Sequence, residues 1–190
     1  MINYKIGDEN MSKIEYEVRV LEINVEEIKE KLKALNAVLV EDVIQKRYVC
    51  DFNPVNPNKW IRLRTNGSKT TLTIKNVESL DISGTKEIEI EVSDFDTTNE
   101  ILKELGYIPK GVQENKRIKY ELNGVEIDID TWPKIPTYLE IEGKSEKELY
   151  DTLELIGISK EKAITLDVQG IYKEVYGIDL KKEPNLSFGL

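Results

Sequence analysis

Charged residues recur at every second position in several short segments of the chain. The series are Glu15, Glu17 and Arg19; Arg62 and Arg64; Glu87, Glu89 and Glu91; Arg117 and Lys119; Glu126, Asp128 and Asp130; and Glu140 and Glu142, with Lys75 in a further segment. Side chains two positions apart on a β-strand share one face, so each series places mostly like charges side by side. Carboxylates bind hard divalent cations, whereas guanidinium groups make forked contacts with phosphate oxygens. The residue types therefore predict a site for a polyphosphate that arrives with divalent metal ions.

The sequence also restricts which metals this site can hold. The chain has no histidine and one cysteine, Cys50. The absence of histidine removes the commonest general base near neutral pH and the commonest transition-metal ligand. A lone cysteine excludes an intramolecular disulfide and a cluster of thiolate ligands. Any metal must therefore be bound by oxygen, which predicts Mg²⁺, Mn²⁺ or Ca²⁺.

Length and net charge limit the class of protein. The 190 residues, 39% of them hydrophobic, suit one domain with a full core. The formal net charge of −9 argues against nonspecific nucleic-acid binding, which depends on a basic surface. No N-terminal apolar run resembles a signal peptide or a membrane span. We therefore expect a cytoplasmic monomer or homodimer whose partner is a small molecule, with no nucleic acid and no membrane involved.

Short strands joined by hairpins are predicted to carry the charged series. The alternation predicts about eight strands, at 14–20, 43–50, 59–65, 70–76, 86–92, 114–122, 124–131 and 137–142. Asn66-Gly67 and Asn123-Gly124 are dipeptides that tolerate positive φ in two-residue hairpins. Because hairpins join antiparallel neighbours, the sheet is expected to be antiparallel.

The chain resembles itself at an offset of about 70 residues. LKALNAV at 32–38 aligns with LKELGYI at 102–108, and Lys46-Arg47 aligns with Lys116-Arg117. Each half reads as a strand, a helix and three further strands. This order predicts a barrel built from two similar halves. We expect the first half to contribute the arginine and lysine strands and the second half the aspartate and glutamate strands.

Helices are predicted at about 24–35, 96–105, 145–157 and 165–176. The third begins with a capping box from Ser145 to Glu148. One domain is expected at 12–178, flanked by loosely held tails at 1–11 and 179–190. Tyr48 is expected to pack under a helix rather than face the ligand. Aromatic packing is likewise expected for Trp60 and Trp132, although both flank loops and could touch a base or a thiamine ring.

The charged face can point into solvent or into a closed barrel. A solvated sheet face over an apolar core produces the same alternation. Repeated acids at alternate positions, however, repel each other unless cations lie between them. Arginine also dominates the basic positions although lysine is far commoner in the chain. Because the amphipathic helices need an apolar surface to cover, we expect an α+β protein: a closed eight-stranded antiparallel barrel with its charges inside and helices outside.

In these features the chain resembles the CYTH family, also called triphosphate tunnel metalloenzymes, over about residues 12 to 177. The family signature E-x-E-x-K on the first strand corresponds to Glu15, Glu17 and Arg19. Counterparts of the later motifs are Arg62 and Arg64, Lys75, the acidic strand from Glu87 to Glu91, Arg117, Asp128 and Asp130, and Glu140 and Glu142. Two positions depart from the pattern: Arg19 replaces the signature lysine, and Asn115 stands where relatives often carry a second lysine.

The resemblance implies a role for each of these residues. The metal candidates, for Mg²⁺ or Mn²⁺, are Glu15, Glu17, Asp128, Asp130, Glu140 and Glu142. The candidates for triphosphate binding are Arg19, Arg62, Arg64, Lys75, Arg117 and Lys119, and Glu87 and Glu89 further line the tunnel. Glu15, Glu17 and Arg19 are the catalytic candidates.

Several functions are compatible with this set of residues. The leading hypothesis is a metal-dependent phosphohydrolase acting on inorganic triphosphate, thiamine triphosphate or a nucleoside triphosphate. A class IV-type adenylate cyclase needs the same clamp but a base-binding end to the tunnel, and we see no motif in the sequence that reads adenine. A non-catalytic sensor of nucleotide or polyphosphate remains an alternative because Arg19 departs from the signature. An acidic interaction domain is the least specific alternative.

Overall fold

Strands close into an antiparallel barrel in the computed structural model, which describes residues 13–79 and 81–189. The eight strands of this part of the chain are β1 (Lys13–Val20), β2 (Val38–Asp51), β3 (Lys59–Thr65), β4 (Thr70–Val77), β5 (Thr85–Val92), β6 (Val112–Leu122), β7 (Val125–Thr131) and β8 (Tyr138–Gly143). Around the barrel they lie in the order β1-β5-β4-β3-β2-β6-β7-β8, and β8 pairs with β1. The predicted fold class is confirmed.

The predicted hairpins join the expected strands. The connection from β3 to β4 contains Asn66 and Gly67 but is four residues long, 66–69, rather than the predicted two, and Gly67 has a φ of 91°. Asn123 and Gly124 turn β6 into β7 with φ angles of 55° and 82°. Both central residues of that second turn therefore take the positive φ that a type I′ hairpin requires.

The second strand is longer than its alternation predicts. It begins at Val38 rather than at residue 43, and a bulge interrupts its register between Leu39 and Glu41. The extension exists because β6 is also long and offers backbone partners as far as Glu121. The extra residue of a bulge shifts the alternation, which hides the start of such a strand from a period-two pattern.

Three helices pack on the outside of the barrel: α1 (Val25–Ala34), α2 (Phe95–Glu104) and α3 (Glu146–Leu155). Helix α1 follows β1, α2 follows β5 and α3 follows β8. Their N-termini are capped by Asn24, Asp94 and Ser145. The core under α1 and α3 includes Leu32, Leu149, Leu153, Val18, Ile127 and Ile141. Under α2, Tyr48 stacks on Phe95 with ring centroids 5.1 Å apart, so its predicted packing role is confirmed. None of the described helices combines the length and apolar character needed to cross a bilayer.

The helices cover only part of the outer wall. Ile88 and Ile90 on β5 are 38% and 55% exposed, and Ile14 on β1 is 47% exposed. The expectation that helices cover the apolar face therefore holds where α1 and α3 pack on parts of β1, β6, β7 and β8, and where α2 packs near β2 to β4. It does not hold for the start of β1, the outer face of β5 or the first part of β2, where Val38, Leu39 and Ile44 are also exposed.

The fourth predicted helix begins later than expected. After a 3₁₀ turn at Lys160–Lys162, helix α4 begins at Val168 and continues to Gly170, and a π-helical turn follows at Ile171–Val175. Thr165 and Leu166 are not helical, because Ile164 is held in an antiparallel bridge to Arg19 on β1. Asp167 then caps the helix by accepting a hydrogen bond from the Gly170 N–H at 2.7 Å.

The C-terminal segment, here residues 179–189, is docked rather than loosely held. Leu186 is fully buried, and its N–H donates to the Val112 carbonyl at 2.9 Å. Its own carbonyl accepts from the Glu114 N–H at 2.7 Å. Leu186 packs with Trp132 and Tyr172 in a small apolar cluster on this side of the barrel. The prediction that the C-terminal tail is loosely held is therefore wrong. The predicted N-terminal tail at 1–11 lies outside the described residues.

Candidate active site

The order of the strands sorts the charges inside the barrel into two contiguous halves. The basic half consists of β4, β3, β2 and β6, which carry Lys75, Arg62, Arg64, Arg47, Arg117 and Lys119. The acidic half consists of β7, β8, β1 and β5, which carry Asp128, Asp130, Glu140, Glu142, Glu15, Glu17, Glu87 and Glu89, with Arg19 as its basic member. The expected division between the two sequence halves is wrong, because acidic β1 belongs to the first half and basic β6 to the second.

The two halves face each other across a cavity of about 660 Å³. It is lined by all the predicted site residues except Asp128, namely Glu15, Glu17, Arg19, Arg62, Arg64, Lys75, Glu87, Glu89, Arg117, Lys119, Asp130, Glu140 and Glu142. Asp128 is buried beside Arg117. The charged face therefore points into a closed barrel, and the alternative of a solvated sheet face is excluded.

Every arginine of the chain lines this cavity. The five arginines are Arg19, Arg47, Arg62, Arg64 and Arg117. Lysine is far commoner in the sequence, yet most lysines lie elsewhere. Guanidinium groups bind oxygen anions through rigid forks and remain charged when buried, so this distribution is typical of an anion-binding interior.

Arg19 ties the acidic half together. Its Nε donates to Glu140 Oε2 at 2.7 Å, one terminal nitrogen donates to Glu17 Oε2 at 2.9 Å, and the other donates to the Leu166 carbonyl at 2.9 Å. Burial lowers the pKa of this guanidinium, but Glu140 and Glu17 outweigh burial and hold the pKa well above its usual value. Arg19 is therefore a fixed cation between two carboxylates.

A second cluster joins β1, β4 and β5. The Lys75 ammonium lies 2.8 Å from Glu15 Oε2 and 2.8 Å from Glu87 Oε2. Burial, followed by the hydrogen bond to Glu87, raises the pKa of Glu15 to about 8. Burial also acts to raise the pKa of Glu87, but the hydrogen bond to Glu15 and the charges of Lys75 and Arg62 lower it overall. The two carboxyl groups thus share one lysine and retain a proton near neutral pH.

The paired arginines of β3 lie beside the acidic wall. The Arg62 guanidinium is 3.1 Å from Glu87 Oε1 and 3.4 Å from Glu89 Oε2, whereas Arg64 comes no closer than 3.8 Å to Glu89. Repulsion by Arg62, together with burial, lowers the pKa of Arg64 to about 10. The positive charge of Arg64 is therefore only weakly balanced by Glu89, and an anion bound in the cavity would balance it further.

Arg117 on β6 reaches three carboxylates of the acidic half. It lies 2.5 Å from Asp130 Oδ2, 2.5 Å from Asp128 Oδ2 and 3.1 Å from Glu140 Oε1. Burial raises the pKa of Asp128 to about 7 even though Arg117 and Lys119 lower it. Lys119, which lies opposite Asp128 in the β6–β7 register, donates to Glu126 Oε2 at 2.6 Å.

Sequence reasoning missed Arg47 and Gln45 on β2, which also line the cavity and are buried. The signal was present, because the internal repeat aligns Arg47 with Arg117. Asn115, the second departure from the family pattern, is fully buried and donates to Asp130 Oδ1 at 3.1 Å. It also accepts a hydrogen bond from Arg47.

The acidic half offers donors of the type that hard divalent cations prefer. Glu17 and Glu142 lie directly opposite each other between β1 and β8, a position in which like charges need a cation nearby. In residues 13–79 and 81–189, no three acidic side chains converge as a ready-made metal site. Carboxylates such as those of Glu17 and Glu142 are donors that Mg²⁺ or Mn²⁺ prefers, and phosphate oxygens or water would have to complete the ligand set of an ion bound there.

The CYTH domain family matches residues 13–165 of the chain. No curated protein matches the sequence. Among solved structures, the PH1012 protein from Pyrococcus horikoshii OT3 is 26% identical, with a TM-score of 0.70; the match covers 80% of this chain and 96% of that one.

Two further structures share the fold at lower identity. A candidate adenylate cyclase from Vibrio parahaemolyticus is 13% identical with a TM-score of 0.70, and the match covers 86% of this chain and 98% of that one. A candidate adenylyl cyclase from Hippeastrum, described as having a dominant triphosphatase activity, is 16% identical with a TM-score of 0.56; the match covers 86% of this chain and 96% of that one. At these identities the likeness shows the fold.

Proposed function

The chain belongs to the CYTH domain family, and we propose that it is a divalent-metal-dependent phosphohydrolase that cleaves a triphosphate. Members of this family process triphosphates and in general depend on metal ions. The substrates proposed for this chain are inorganic triphosphate and organic triphosphates such as thiamine triphosphate or a nucleoside triphosphate. We further propose that it works in the cytoplasm as a monomer or homodimer, on a small molecule rather than on nucleic acid.

The observation that carries this proposal is the arrangement of charge inside the barrel. Four neighbouring strands present bases, four present acids, and all five arginines lie on the cavity between them. A linear polyphosphate with bound cations has the complementary pattern, because its oxygens meet the bases and its cations meet the acids. A cavity of about 660 Å³ lies within the range of small-molecule sites.

The basic half is proposed to bind and orient the phosphate chain. Arg62 and Arg64 lie two residues apart on β3, and Lys75 lies on the next strand. Such a row of cations compensates the charge that spreads over phosphoryl oxygens during transfer. Glu17, Glu140 and Glu142 would hold the divalent cation, which when bound neutralises phosphate charge and lowers the pKa of coordinated water. Contacts made by charges that are buried in the barrel wall are stronger than the same contacts in water.

A binding protein without turnover is the second candidate, and Arg19 is the observation that favours it. Glu17 and Glu140, two of the proposed metal ligands, both accept hydrogen bonds from Arg19. If Arg19 stays in place when the triphosphate binds, these carboxylates remain neutralised and metal binding is weakened. The Vibrio protein is described as a candidate adenylate cyclase and the Hippeastrum protein as having a dominant triphosphatase activity, so product analysis must separate the two reactions.

The purified full chain should be incubated with Mg²⁺ or Mn²⁺ and tripolyphosphate, thiamine triphosphate or ATP, followed by measurement of phosphate, pyrophosphate and cyclic AMP. Phosphate release that EDTA abolishes is the expected result. Pyrophosphate together with cyclic AMP would instead identify a cyclase. Tight tripolyphosphate binding without any product would identify the sensor. Absence of both binding and turnover with every substrate would refute the proposed function.

Glu17→Gln and Glu142→Gln are expected to reduce metal-dependent turnover by roughly a hundredfold or more, because each replaces a carboxylate proposed to hold the divalent cation. Glu30→Gln is the matched control, since Glu30 is an exposed residue of α1 and lies outside the cavity. Equal rates for the three variants would contradict the role assigned to the acidic half.

A further inference from the structure

Arg47 lies in the wall of the cavity under an aromatic ring. Its side chain points inward from β2, and the residue is only 6% exposed. The centre of its guanidinium lies 4.6 Å from the ring centroid of Trp132, which is also buried and lines the cavity. Stacking of this kind restricts the orientation of a planar guanidinium. The group is therefore held in one position before any ligand binds.

The polar contacts of Arg47 are made to neutral side chains. One terminal nitrogen donates to Gln45 Oε1 at 3.1 Å and to Asn115 Oδ1. Its Nε is buried and has no acceptor among the described residues, and the same holds for the indole Nε1 of Trp132. Buried donors of native proteins are nearly always satisfied, so two such atoms in one stacked pair indicate a missing acceptor.

The comparison with two other buried arginines shows how unusual this environment is. Arg19 is neutralised by Glu17 and Glu140, and Arg117 by Asp128, Asp130 and Glu140. Within residues 13–79 and 81–189, Arg47 forms no such ion pair. Burial, followed by repulsion from Arg64, Arg62 and Arg117, outweighs the attraction of Asp130 and holds the pKa of Arg47 well below its usual value.

A buried cation of this kind costs stability unless a ligand compensates for it. An uncompensated charge in a protein interior is strongly unfavourable, and a residue with only a packing role would be better served by an uncharged side chain. The surroundings of Arg47 hold it in place without neutralising it. The compensating charge must therefore come from a ligand in the cavity, and that ligand must be an anion.

We propose that Arg47, positioned by Trp132, Gln45 and Asn115, is a phosphate-binding residue of the tunnel and forms an anion subsite of its own on β2. The proposal rests on the proposed function, because it assigns one phosphoryl group of the bound triphosphate to this subsite. Arg47 lies directly opposite Arg64 in the β2–β3 register, so the subsite adjoins the one formed by the paired arginines of β3.

The test compares Arg47→Met and Arg47→Lys with wild type and with Lys46→Met. Lys46 is the matched control, because it directly precedes Arg47 on the same strand and its replacement by Met also removes one positive charge. Its side chain points outward over the rings of Tyr48 and Phe95. Tripolyphosphate affinity is measured by isothermal titration calorimetry, and the unfolding temperature is measured without any anion. We expect Arg47→Met to bind roughly ten- to a hundredfold more weakly than wild type, since charge-assisted hydrogen bonds are lost. Arg47→Lys should fall between the two.

The anion-free unfolding temperature separates binding from structure. Because Arg47 is repelled by its neighbours when no anion is present, Arg47→Met should unfold at a temperature no lower than Lys46→Met. Unchanged affinity in Arg47→Met would overturn the proposal. So would weaker affinity combined with an unfolding temperature below that of Lys46→Met, which would assign Arg47 to the fold. A wild-type chain that fails to bind tripolyphosphate would refute the proposed function itself, a result distinct from wild-type binding that is insensitive to Arg47.

Discussion

All three nitrogens of the Arg19 guanidinium donate to acceptors of the protein itself, two carboxylates and one backbone carbonyl. The sequence placed Arg19 among the triphosphate-binding and catalytic candidates, where the family signature has lysine. The structure brings Arg19 to the cavity, but with its donors committed to the acidic wall and to Leu166. A compact ammonium cannot reproduce this three-way contact, so the two residue types are not equivalent here.

Arg19→Lys is therefore expected to change stability and metal binding in opposite directions. Loss of the contacts that an ammonium cannot reach should lower the free energy of unfolding by roughly 1–3 kcal/mol. At the same time, the release of Glu17 and Glu140 should lower the Mg²⁺ concentration that half-saturates tripolyphosphate turnover. Chemical denaturation and metal titration measure the two effects separately. A half-saturating Mg²⁺ concentration equal to or above that of wild type would contradict the view that Arg19 competes with the metal.

At the scale of elements, the C-terminal segment is the part of the chain whose role changes most between sequence and structure. It joins β6 through backbone hydrogen bonds between Leu186 and both Val112 and Glu114. The segment also brings Lys181 and Pro184 to the cavity. Part of the wall therefore depends on a short stretch that joins the sheet through this bridge to β6.

Leu186→Ala is expected to loosen this segment without unfolding the barrel. Removal of a fully buried leucine side chain leaves a cavity and weakens packing against Trp132 and Tyr172. Hydrogen exchange of the Glu114 amide, whose N–H donates to Leu186, should become roughly ten- to a hundredfold faster. Leu155→Ala is the control, since Leu155 is 51% exposed on α3. Equal protection of the Glu114 amide in the two variants would show that the leucine does not hold the segment in place.

For the molecule as a whole, the barrel places acidic side chains side by side in an interior of low dielectric constant. The free energy of unfolding therefore depends on whether these side chains are ionised. Asp128 faces Arg117 and Lys119 on β6, Glu140 on β8 and Asp130 on its own strand. Burial raises its pKa from the usual 3.8 to about 7 in spite of the two bases. Between these values the folded state holds a proton that the unfolded chain has released, so rising pH lowers the free energy of unfolding.

Asp128→Asn should remove this contribution because the amide remains neutral at every pH. The free energy of unfolding of the variant, minus that of wild type, is expected to increase by roughly 2 kcal/mol between pH 5 and pH 7. Urea denaturation at each pH in metal-free buffer measures the difference. The same difference at both pH values would mean that Asp128 is ionised throughout, held by Arg117. Other carboxyl groups, such as Glu15, titrate in both proteins and cancel in the comparison.

The sequence by itself determined the local features of this protein. Alternation along each strand has a period of two residues, so it identified the faces that carry Glu15, Arg62 and Glu140. The Asn-Gly turns fixed which strands form hairpins, and the self-similarity of the chain indicated a barrel of two like halves. These signals depend on residues close together in the chain. For that reason the fold class could be predicted, as could cavity-lining residues such as Glu15, Arg62 and Glu140.

Only the tertiary structure decided which strands lie next to each other across distant parts of the chain. Pairing of β1 with both β5 and β8, and of β2 with β6, groups the acids in one half and the bases in the other. The burial of Arg47 under Trp132 and the docking of Leu186 on β6 depend on the same long-range pairing. Alternation is preserved under any order of strands, because it reports which face a side chain takes and not which strand lies beside it. The closed order of the strands therefore determines where the acidic half and the basic half of the barrel meet.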